Sequence, residues 1–155
     1  MSNHRVEQSD NWVQCGEFNY RPGTGNILLR KADMSDADFV YRVRFKDPVV
    51  VENSWDGSVV EQYKHLDFFR EHVDFYFIIV FDGEDVGFVR DMNGEVSICL
   101  LENFRNKGIG SKVLENFYGK ATIKINNVNS LLAFQKAGFK IVGYILEKKI
   151  VFKED

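Results

Sequence analysis

A glycine-rich turn at residues 105–110, Arg-Asn-Lys-Gly-Ile-Gly, has the residue types of an anion-binding site. It follows a β-like run at residues 95–101, and the apolar residues after it have helical spacing, Ile109, Val113, Leu114 and Phe117. The first N–H groups of a helix lack partners within the helix and lie at the positive end of its dipole. Glycine lets the backbone approach a ligand closely, and Arg105 and Lys107 add positive charge. We therefore expect this turn to bind a diphosphate.

Three phosphate-binding motifs can be compared with this turn. A P-loop requires Gly-x4-Gly-Lys-Ser/Thr, and residues 108–112, Gly-Ile-Gly-Ser-Lys, differ from it in spacing and order. A dinucleotide fingerprint requires a third glycine where this chain has Val113. Residues 105–110 match every fixed position of Arg/Gln-x-x-Gly-x-Gly/Ala, the motif that cradles the pyrophosphate of coenzyme A in the GNAT family of N-acetyltransferases.

A second stretch, residues 127–139, resembles the other signature of that family, Asn-x-x-Ser/Ala followed by Lys-x-Gly-Phe. The matching residues are Asn127, Ser130, Lys136, Gly138 and Phe139. Two motifs in the right order make the chain similar to the GNAT family over residues 27–152. The competing interpretation is a glycine helix cap followed by an ordinary Gly-Phe helix stop.

Composition and charge narrow the class of protein. A chain of 155 residues predicts one domain, and a net charge of −3 provides no basic field for nucleic acid. The three histidines and the two cysteines, Cys15 and Cys99, lack metal-ligand spacing, so we expect no metal. Residues 1–26 lack the apolar core of a secretion signal, and no run reaches the ~18 apolar residues of a membrane span. We expect a cytoplasmic protein with no membrane partner.

The pattern of apolar residues predicts an α/β (α+β) chain in the order β-α-α-β-β-β-α-β-α-β-β, which is the GNAT order. Strands are predicted at residues 26–32, 75–81, 86–92, 95–101, 121–125, 139–144 and 147–152. Helices are predicted at residues 35–45, 59–71, 109–117 and 128–137. Capping boxes at residues 35–38 and 58–61 begin the first two helices, and Asp47-Pro48 is expected to stop the first. Asp82-Gly83 and Asn93-Gly94 predict the hairpin turns of a three-stranded meander. Gly138 and Phe139 predict a Schellman end for the last helix, and the alternative role for Asn127 or Asn129 is to cap its start. Residues 1–25 are expected to form a partly ordered extension, and residues 26–155 the acetyltransferase domain.

The resemblance implies a mixed sheet whose fourth and fifth predicted strands splay apart, with acetyl-CoA entering between them. Unpaired backbone groups on the splayed strands need another partner, which the pantetheine amides would supply. The implied cofactor contacts are the backbone of Ile98, Cys99 and Leu100, the turn Arg105, Asn106, Lys107, Gly108, Ile109, Gly110 and Ser111, and then Asn127, Ser130 and Phe134.

The implied reaction is direct attack of an amine on the thioester in a ternary complex. The backbone N–H of Leu100 is the expected oxyanion donor. Glu95 is a candidate base, directly or through water; the competing interpretation is a solvent-exposed carboxylate at a hairpin edge. Many relatives have a general-acid tyrosine four residues before the glycine of the second signature, where this chain has Phe134. The resemblance therefore implies that this acid is absent.

Residues 46–57 are expected to overhang the cleft and select a small-molecule amine. Glu52 or Asp56 could hold a cationic amine, Trp55 could stack on a sugar or base, and Ser97 shares a strand face with Glu95. Residues 44–47 and 65–69 loosely resemble acetyltransferases of amino-sugar nucleotides, which favours that acceptor. The alternatives are a protein N-terminal or polyamine acetyltransferase, and a non-catalytic module that binds acyl-CoA.

The two signatures lie unusually close together for this family, because Asn127 comes only 17 positions after Gly110. The intervening helix and strand must then be short, which would thin one flank of the sheet. Such a flank leaves apolar surface for a second subunit to cover, so a homodimer is one expectation.

Overall fold

The computed structural model describes residues 6–9, 12–20 and 23–152. Six strands form one antiparallel sheet in chain order: β1 (Val6–Ser9), β2 (Trp12–Tyr20), β3 (Gly23–Lys31), β4 (Tyr76–Phe81), β5 (Glu84–Met92) and β6 (Glu95–Leu100). Five helices accompany them: α1 (Ala37–Phe45), α2 (Pro48–Asn53), α3 (Gln62–His72), α4 (Ile109–Leu114) and α5 (Val128–Lys136).

Strands β4, β5 and β6 form the predicted meander with two-residue turns. Asp82 and Gly83 have φ of 52° and 81°, and Asn93 and Gly94 have φ of 54° and 82°. Positive φ at both central residues is the geometry that matches the right-handed twist of a hairpin and that Asp-Gly and Asn-Gly favour. The predictions made from these two dipeptides are confirmed.

The N-terminal region contributes two strands for which the sequence analysis predicted no regular structure. Strand β2 pairs with β3 from Trp12 opposite Arg30 to Tyr20 opposite Gly23, and β1 pairs with β2. The expected boundary at residue 25 therefore falls within β3. Residues 1–5, 10, 11, 21 and 22 of the expected extension lie outside the described residues.

The sheet carries a core on each face because its side chains alternate between the faces. One core joins the sheet to α4 and α5 and includes Ile79, Val89, Ile109, Leu114 and Phe134. The other joins it to α1 and α3 and includes Val40, Val43, Phe69, Ile78 and Phe88. The two faces thus separate the glycine-rich turn and α5 from the α1–α3 side.

The helices at residues 35–72 begin at other residues than predicted. Asp33 caps the 3₁₀ turn Met34–Asp36, so the predicted capping box at residues 35–38 is shifted. The predicted box at residues 58–61 is absent, because α3 begins after Glu61 without a side-chain cap. The β-branched run at residues 49–51 lies in α2, where Asp47 caps the helix and Pro48 occupies its first turn.

Three predicted strands are wrong. Residues 121–125 form no strand, and residues 139–144 and 147–152 form no hairpin. The short connection from α4 to α5 allows one parallel bridge, between Glu95 and Lys120, before the chain leaves the sheet. Without a strand at 121–125, the C-terminal segment has no adjacent edge to pair with. The sheet was expected to be mixed, and among the described residues its parallel pairing is limited to this single bridge.

His65 is a buried packing residue on α3. Its Nε2 bonds the carbonyl oxygen of Ala37 at 3.0 Å, and its ring stacks on Phe69 with centroids 5.6 Å apart. Burial lowers the pKa of His65 below its ordinary value, an effect that the hydrogen bond to Ala37 only partly offsets. The folded chain therefore holds a neutral imidazole that the unfolded chain would protonate near pH 6.5.

We predict that His65 contributes to acid sensitivity. Since its pKa is lower in the folded state, its contribution to stability is complete above about pH 6.5 and is lost as pH falls towards the folded pKa. His65→Gln keeps a donor for Ala37 but cannot titrate, so its free energy of unfolding should fall less between pH 7 and pH 5. The difference should correspond to uptake of at most about one proton. Urea unfolding at several pH values measures it, and identical slopes would contradict the prediction.

Candidate active site

The glycine-rich turn has the predicted strand–turn–helix geometry. Gly108 is the N-cap residue of α4 with φ of 86°, and Asn106 also has positive φ, 60°. The N–H groups from Gly108 to Ser111 are those of the first helical turn, which the helix leaves without an acceptor. Helix α4 has only six residues, so the expected shortening of this helix is confirmed.

A V-shaped gap opens on the outer edge of β6. Its apex is the Glu95–Lys120 bridge, where the N–H of Val96 donates to Lys120 at 2.7 Å and the N–H of Lys120 donates to Gly94 at 2.8 Å. Beyond it, residues 121–125 form no further bridge to β6, although Ala121 and Ile123 still pack on the core. This loss of pairing agrees with the splay expected between the fourth and fifth predicted strands.

Alternation along β6 decides which backbone groups face this gap. Val96 faces outward, since it bonds Lys120, so Ile98 and Leu100 face outward as well. The backbone groups of Cys99 face β5 instead. Cys99 pairs with Phe88 there, and its carbonyl oxygen lies close to Gly87. Within residues 23–152, the N–H groups of Ile98 and Leu100 have no protein hydrogen-bond partner. Of the three expected backbone contacts, Ile98 and Leu100 are placed to make them and Cys99 is not.

Arg105 holds the end of β6 rather than adding a free charge to the turn. Its Nε donates to the carbonyl oxygen of Leu100 at 3.0 Å, and its Nη2 forms a salt bridge with Asp47. Burial raises the pKa of Asp47, but the hydrogen bonds from Arg105 and the Val49 N–H outweigh this and leave the pKa below its usual value. The pair is therefore ionised at neutral pH.

Helix α2 crosses the gap and is held at both of its ends. Its N-cap residue Asp47 is held by Arg105, beside the turn. At its other end, the carbonyl oxygen of Glu52 accepts from Lys124 Nζ at 3.0 Å, and that of Asn53 accepts from Asn127 Nδ2 at 3.4 Å. Six helical residues span about 9 Å, so α2 connects the two sides of the V. The expectation that residues 46–57 overhang the cleft is consistent with these contacts.

Residues of the second signature are used mainly within the protein. The side-chain oxygen of Asn127 caps α5 by accepting from Ser130 N at 3.3 Å, which matches the capping alternative for this residue. Ser130 is half-buried at the same helix start. Phe134 is buried in the core and packs edge-on against Phe139 with centroids 4.9 Å apart. Gly138, with φ of 104°, ends α5 in the predicted Schellman geometry.

The candidate base and acceptor residues lie on the α1 side of the cleft. Ser97 pairs with Arg90, and Glu95 pairs with Met92, so both share the face predicted for them. Glu95 is exposed at the hairpin edge, and Ser97 is half-buried. Glu52 and Trp55 lie at the C-terminal end of α2 and are exposed, with Trp55 52% accessible. Among the described residues, the Glu95 side chain has no hydrogen bond or salt bridge to the outward groups of β6.

Cys99 presents an inert thiol. Burial raises its pKa to about 11, although the nearby positive charges of Arg44, Arg90 and Arg105 act in the opposite direction. A thiol with this pKa is protonated at neutral pH, and the thiolate is the nucleophilic form. The site therefore offers no cysteine nucleophile among the described residues.

Gly110 lies where a side chain would narrow the gap. A Cβ built there would be 3.7 Å from a methyl of Leu100, 3.8 Å from Ala133 and 3.9 Å from a methyl of Ile98. These are ordinary contacts, so the packing of the protein itself does not require glycine. A helical glycine is about 0.5–1 kcal/mol less favourable than alanine. Gly110 is therefore a position where an added methyl would occupy the space between β6 and α5.

Sequence reasoning assigned no site role to Arg90, and it used Arg44 and Asp47 only in the loose resemblance of residues 44–47 to other acetyltransferases. The Asp-Pro dipeptide at residues 47–48 carried a helix-start signal that was interpreted only as a helix stop. Nothing local in the sequence indicates that two arginines 46 positions apart both act on the pKa of Cys99.

Two classes of feature are not found in the described part of the chain. No helix there is long and apolar enough to cross a membrane. No group of three or more histidine, cysteine, aspartate or glutamate residues is placed to hold a metal ion.

Comparison with known proteins gives matches in structure alone. No protein-family model matches the chain, and no curated protein sequence matches it significantly. The microcin C7 self-immunity acetyltransferase MccE, solved with acetyl-CoA and AMP, superposes with a TM-score of 0.59 at 15% identity. That match covers 76% of this chain and 80% of MccE.

Two further acetyltransferases superpose similarly. A ribosomal-protein-alanine N-acetyltransferase from Brucella melitensis has a TM-score of 0.57 and 20% identity, over 74% of this chain and 85% of that one. A phosphinothricin N-acetyltransferase has a TM-score of 0.60 and 23% identity, over 76% and 85%. Together with the splayed edge of β6 and the glycine-rich turn, these matches show that the chain has the GNAT fold.

Proposed function

We propose that this chain is an acetyl-CoA-dependent N-acetyltransferase that acts on a primary amine of a small molecule. The observation that carries the proposal is the outer edge of β6, where Ile98 and Leu100 turn their backbone groups into a gap. The gap begins at the Lys120 bridge and ends at the Gly108 turn. Unpaired backbone groups require partners, and a pantetheine arm carries amides that would pair with them.

The proposed roles follow from this geometry. Acetyl-CoA supplies the thioester carbonyl that the amine attacks. The N–H groups of Gly108 to Ser111 would hold the diphosphate, and Ile98 would bind the pantetheine amides. The Leu100 N–H would donate to the carbonyl oxygen as negative charge develops on it, a contribution that typically lowers a barrier by about 3 kcal/mol. Arg105 would position Leu100 through its carbonyl oxygen.

Direct attack by the amine is supported by the state of Cys99, whose thiol is not available as a nucleophile at neutral pH. Cys99 is protonated at neutral pH, and Phe134 carries no acidic hydrogen. The departing thiolate would leave unassisted, because a thiol with a pKa of about 8.5 is a tolerable leaving group near neutral pH. Glu95 remains the proposed base and would act through water from its exposed position.

The acceptor we favour is an amino-sugar nucleotide. MccE, solved with AMP, has the same fold, and Trp55 is exposed beside the gap where it could stack on a base or sugar. A protein N-terminus is the second candidate, because the Brucella enzyme with this fold acts on ribosomal-protein alanine. A polyamine acceptor and a non-catalytic acyl-CoA-binding module are the further alternatives. We also propose a cytoplasmic location, supported by the free thiol of Cys99.

The first test is release of free thiol from acetyl-CoA with a panel of amines. The panel contains an amino-sugar nucleotide, spermidine and an alanine-initiated peptide, each compared with a reaction without amine. We expect turnover with the amino-sugar nucleotide, rising with pH as more of the amine becomes neutral. Calorimetric binding of acetyl-CoA without turnover of any amine would favour the binding module, and absence of binding would refute the proposal.

Gly110→Ala tests the position of acetyl-CoA. The added methyl makes only ordinary contacts with Ile98, Leu100 and Ala133, so stability should stay the same or rise by up to about 1 kcal/mol. It would fill the space between β6 and α5, so affinity for acetyl-CoA should fall at least tenfold, about 1.4 kcal/mol.

The matched control for this experiment is Gly143→Ala, because an added Cβ there meets nothing within 4 Å. Calorimetry measures both affinities, and thermal unfolding measures both stabilities. A folded Gly110→Ala protein with unchanged affinity would place acetyl-CoA elsewhere.

We further propose that the chain forms a homodimer through its C-terminal segment. Residues 140–152 have no helix or strand, yet Val142 and Leu146 are 94% and 93% exposed. Exposed apolar residues in a contiguous run indicate an association surface. A second copy would cover it and offset the thin flank left by residues 121–125.

Light scattering at micromolar concentration should therefore give the mass of a dimer. The double variant Val142→Ser/Leu146→Ser should be monomeric, because it removes the apolar surface. The control Lys140→Ser/Lys148→Ser changes polar positions of the same segment and should remain dimeric. A monomeric wild-type protein would contradict the proposal.

A further inference from the structure

Two arginines on the α1 face of the sheet carry buried nitrogens without partners. Nη1 of Arg44 and Nε of Arg90 are inaccessible to solvent and have no hydrogen-bond acceptor among the described residues. Leaving a buried donor of a charged group unpaired is costly, by about 1–3 kcal/mol or more. Such groups are found where a ligand completes the hydrogen bonds.

The two arginines come together through the fold. Arg90 lies on β5 between Tyr76 of β4 and Ser97 of β6 in one row across the sheet. Its Cζ is 6.0 Å from the centre of the Tyr76 ring. Arg44 lies in the last turn of α1, with its Cζ 4.6 Å from the centre of the Phe45 ring. Both guanidinium charges act to lower the pKa of the Cys99 thiol, on the next row of β6.

Carboxylates do not neutralise this pair within residues 23–152. Asp47, which also reaches Cys99, is already engaged by Arg105. Glu95 shares the face of Arg90 and forms no salt bridge with it, and Asp91 is on the other face. Three guanidinium groups lower the pKa of Cys99 and one carboxylate raises it, so positive charge is in excess near this thiol.

We propose that Arg44, Arg90 and Ser97 bind an anionic group, a phosphate or a carboxylate, on the amine acceptor. The acceptor role rests on the proposed function, because Ser97 lies on the strand whose Leu100 N–H would face the thioester. Guanidinium groups suit both anions, since their N–H groups match the geometry of phosphate and carboxylate oxygens. Three residues of extended strand separate Ser97 from Leu100, so the amine and the anion should lie about 10 Å apart.

The anion site can be tested without turnover. The protein is saturated with CoA, so that its diphosphate site is filled, and thermal unfolding is followed with inorganic phosphate and with succinate. We expect at least one anion to raise Tm by about 2 °C or more in the wild-type protein. The rise should disappear in Arg44→Gln/Arg90→Gln and persist in Arg42→Gln, an exposed arginine of the same helix paired with Asp38.

The variants themselves should fold. Arg44→Gln removes a buried Nη1 donor that has no acceptor, so this variant alone should not lower Tm in the absence of anions. This single variant is the fallback if the double variant unfolds, and it should still lose at least half of the anion-induced rise. No rise in the wild-type protein, or an equal rise in both arginine variants, would overturn the proposal.

Two pairs of amines then distinguish the anions. Glucosamine 6-phosphate is compared with glucosamine, and 6-aminohexanoate with its amide. We expect kcat/KM at least tenfold higher for the anionic member of one pair, with that preference lost in the arginine variants. A preference in the first pair identifies phosphate, and one in the second identifies carboxylate. Failure of the proposed function would give a different result from failure of the anion site. CoA would not bind in calorimetry, while an anion bound at Arg44 and Arg90 could still raise Tm.

Discussion

The outer edge of β6 is the constraint on which the rest of the site depends. One bridge to Lys120 holds the chain against this edge, and beyond it the two segments part. A parted strand leaves N–H and C=O groups at Ile98 and Leu100 that cannot be satisfied within the sheet. A site built from backbone in this way requires little of the side chains along it, which explains why these residues are simply apolar.

Other elements keep this edge open and shaped. Arg105 ties Leu100 to Asp47 and so joins the glycine-rich turn to the start of α2. The far end of α2 is held by Lys124 and Asn127, across the gap. Arg105, the arginine of the turn motif, therefore has a structural role, while the proposed phosphate contacts come from backbone N–H groups.

The short connection between α4 and α5 shapes the other flank. Because the chain has few residues in which to return, α4 has six residues and residues 121–125 form no strand. The C-terminal segment then has no edge to join and leaves Val142 and Leu146 in solvent. The short connection between α4 and α5 therefore affects the end of the chain, where we propose that a second copy binds.

The sequence by itself determined the features that local chemistry decides. Asp82-Gly83 and Asn93-Gly94 form hairpin turns because such turns require positive φ, which Asp, Asn and Gly tolerate. Gly108 starts one helix and Gly138 ends another, again at positions with positive φ. Only the tertiary structure decided that Cys99 turns away from the gap, because strand register sets the direction of each backbone group. It also placed Arg44 and Arg90 on the same side of the sheet and left residues 139–152 outside it. Contacts between distant segments depend on how helices and strands pack, and they leave no local signal in the sequence.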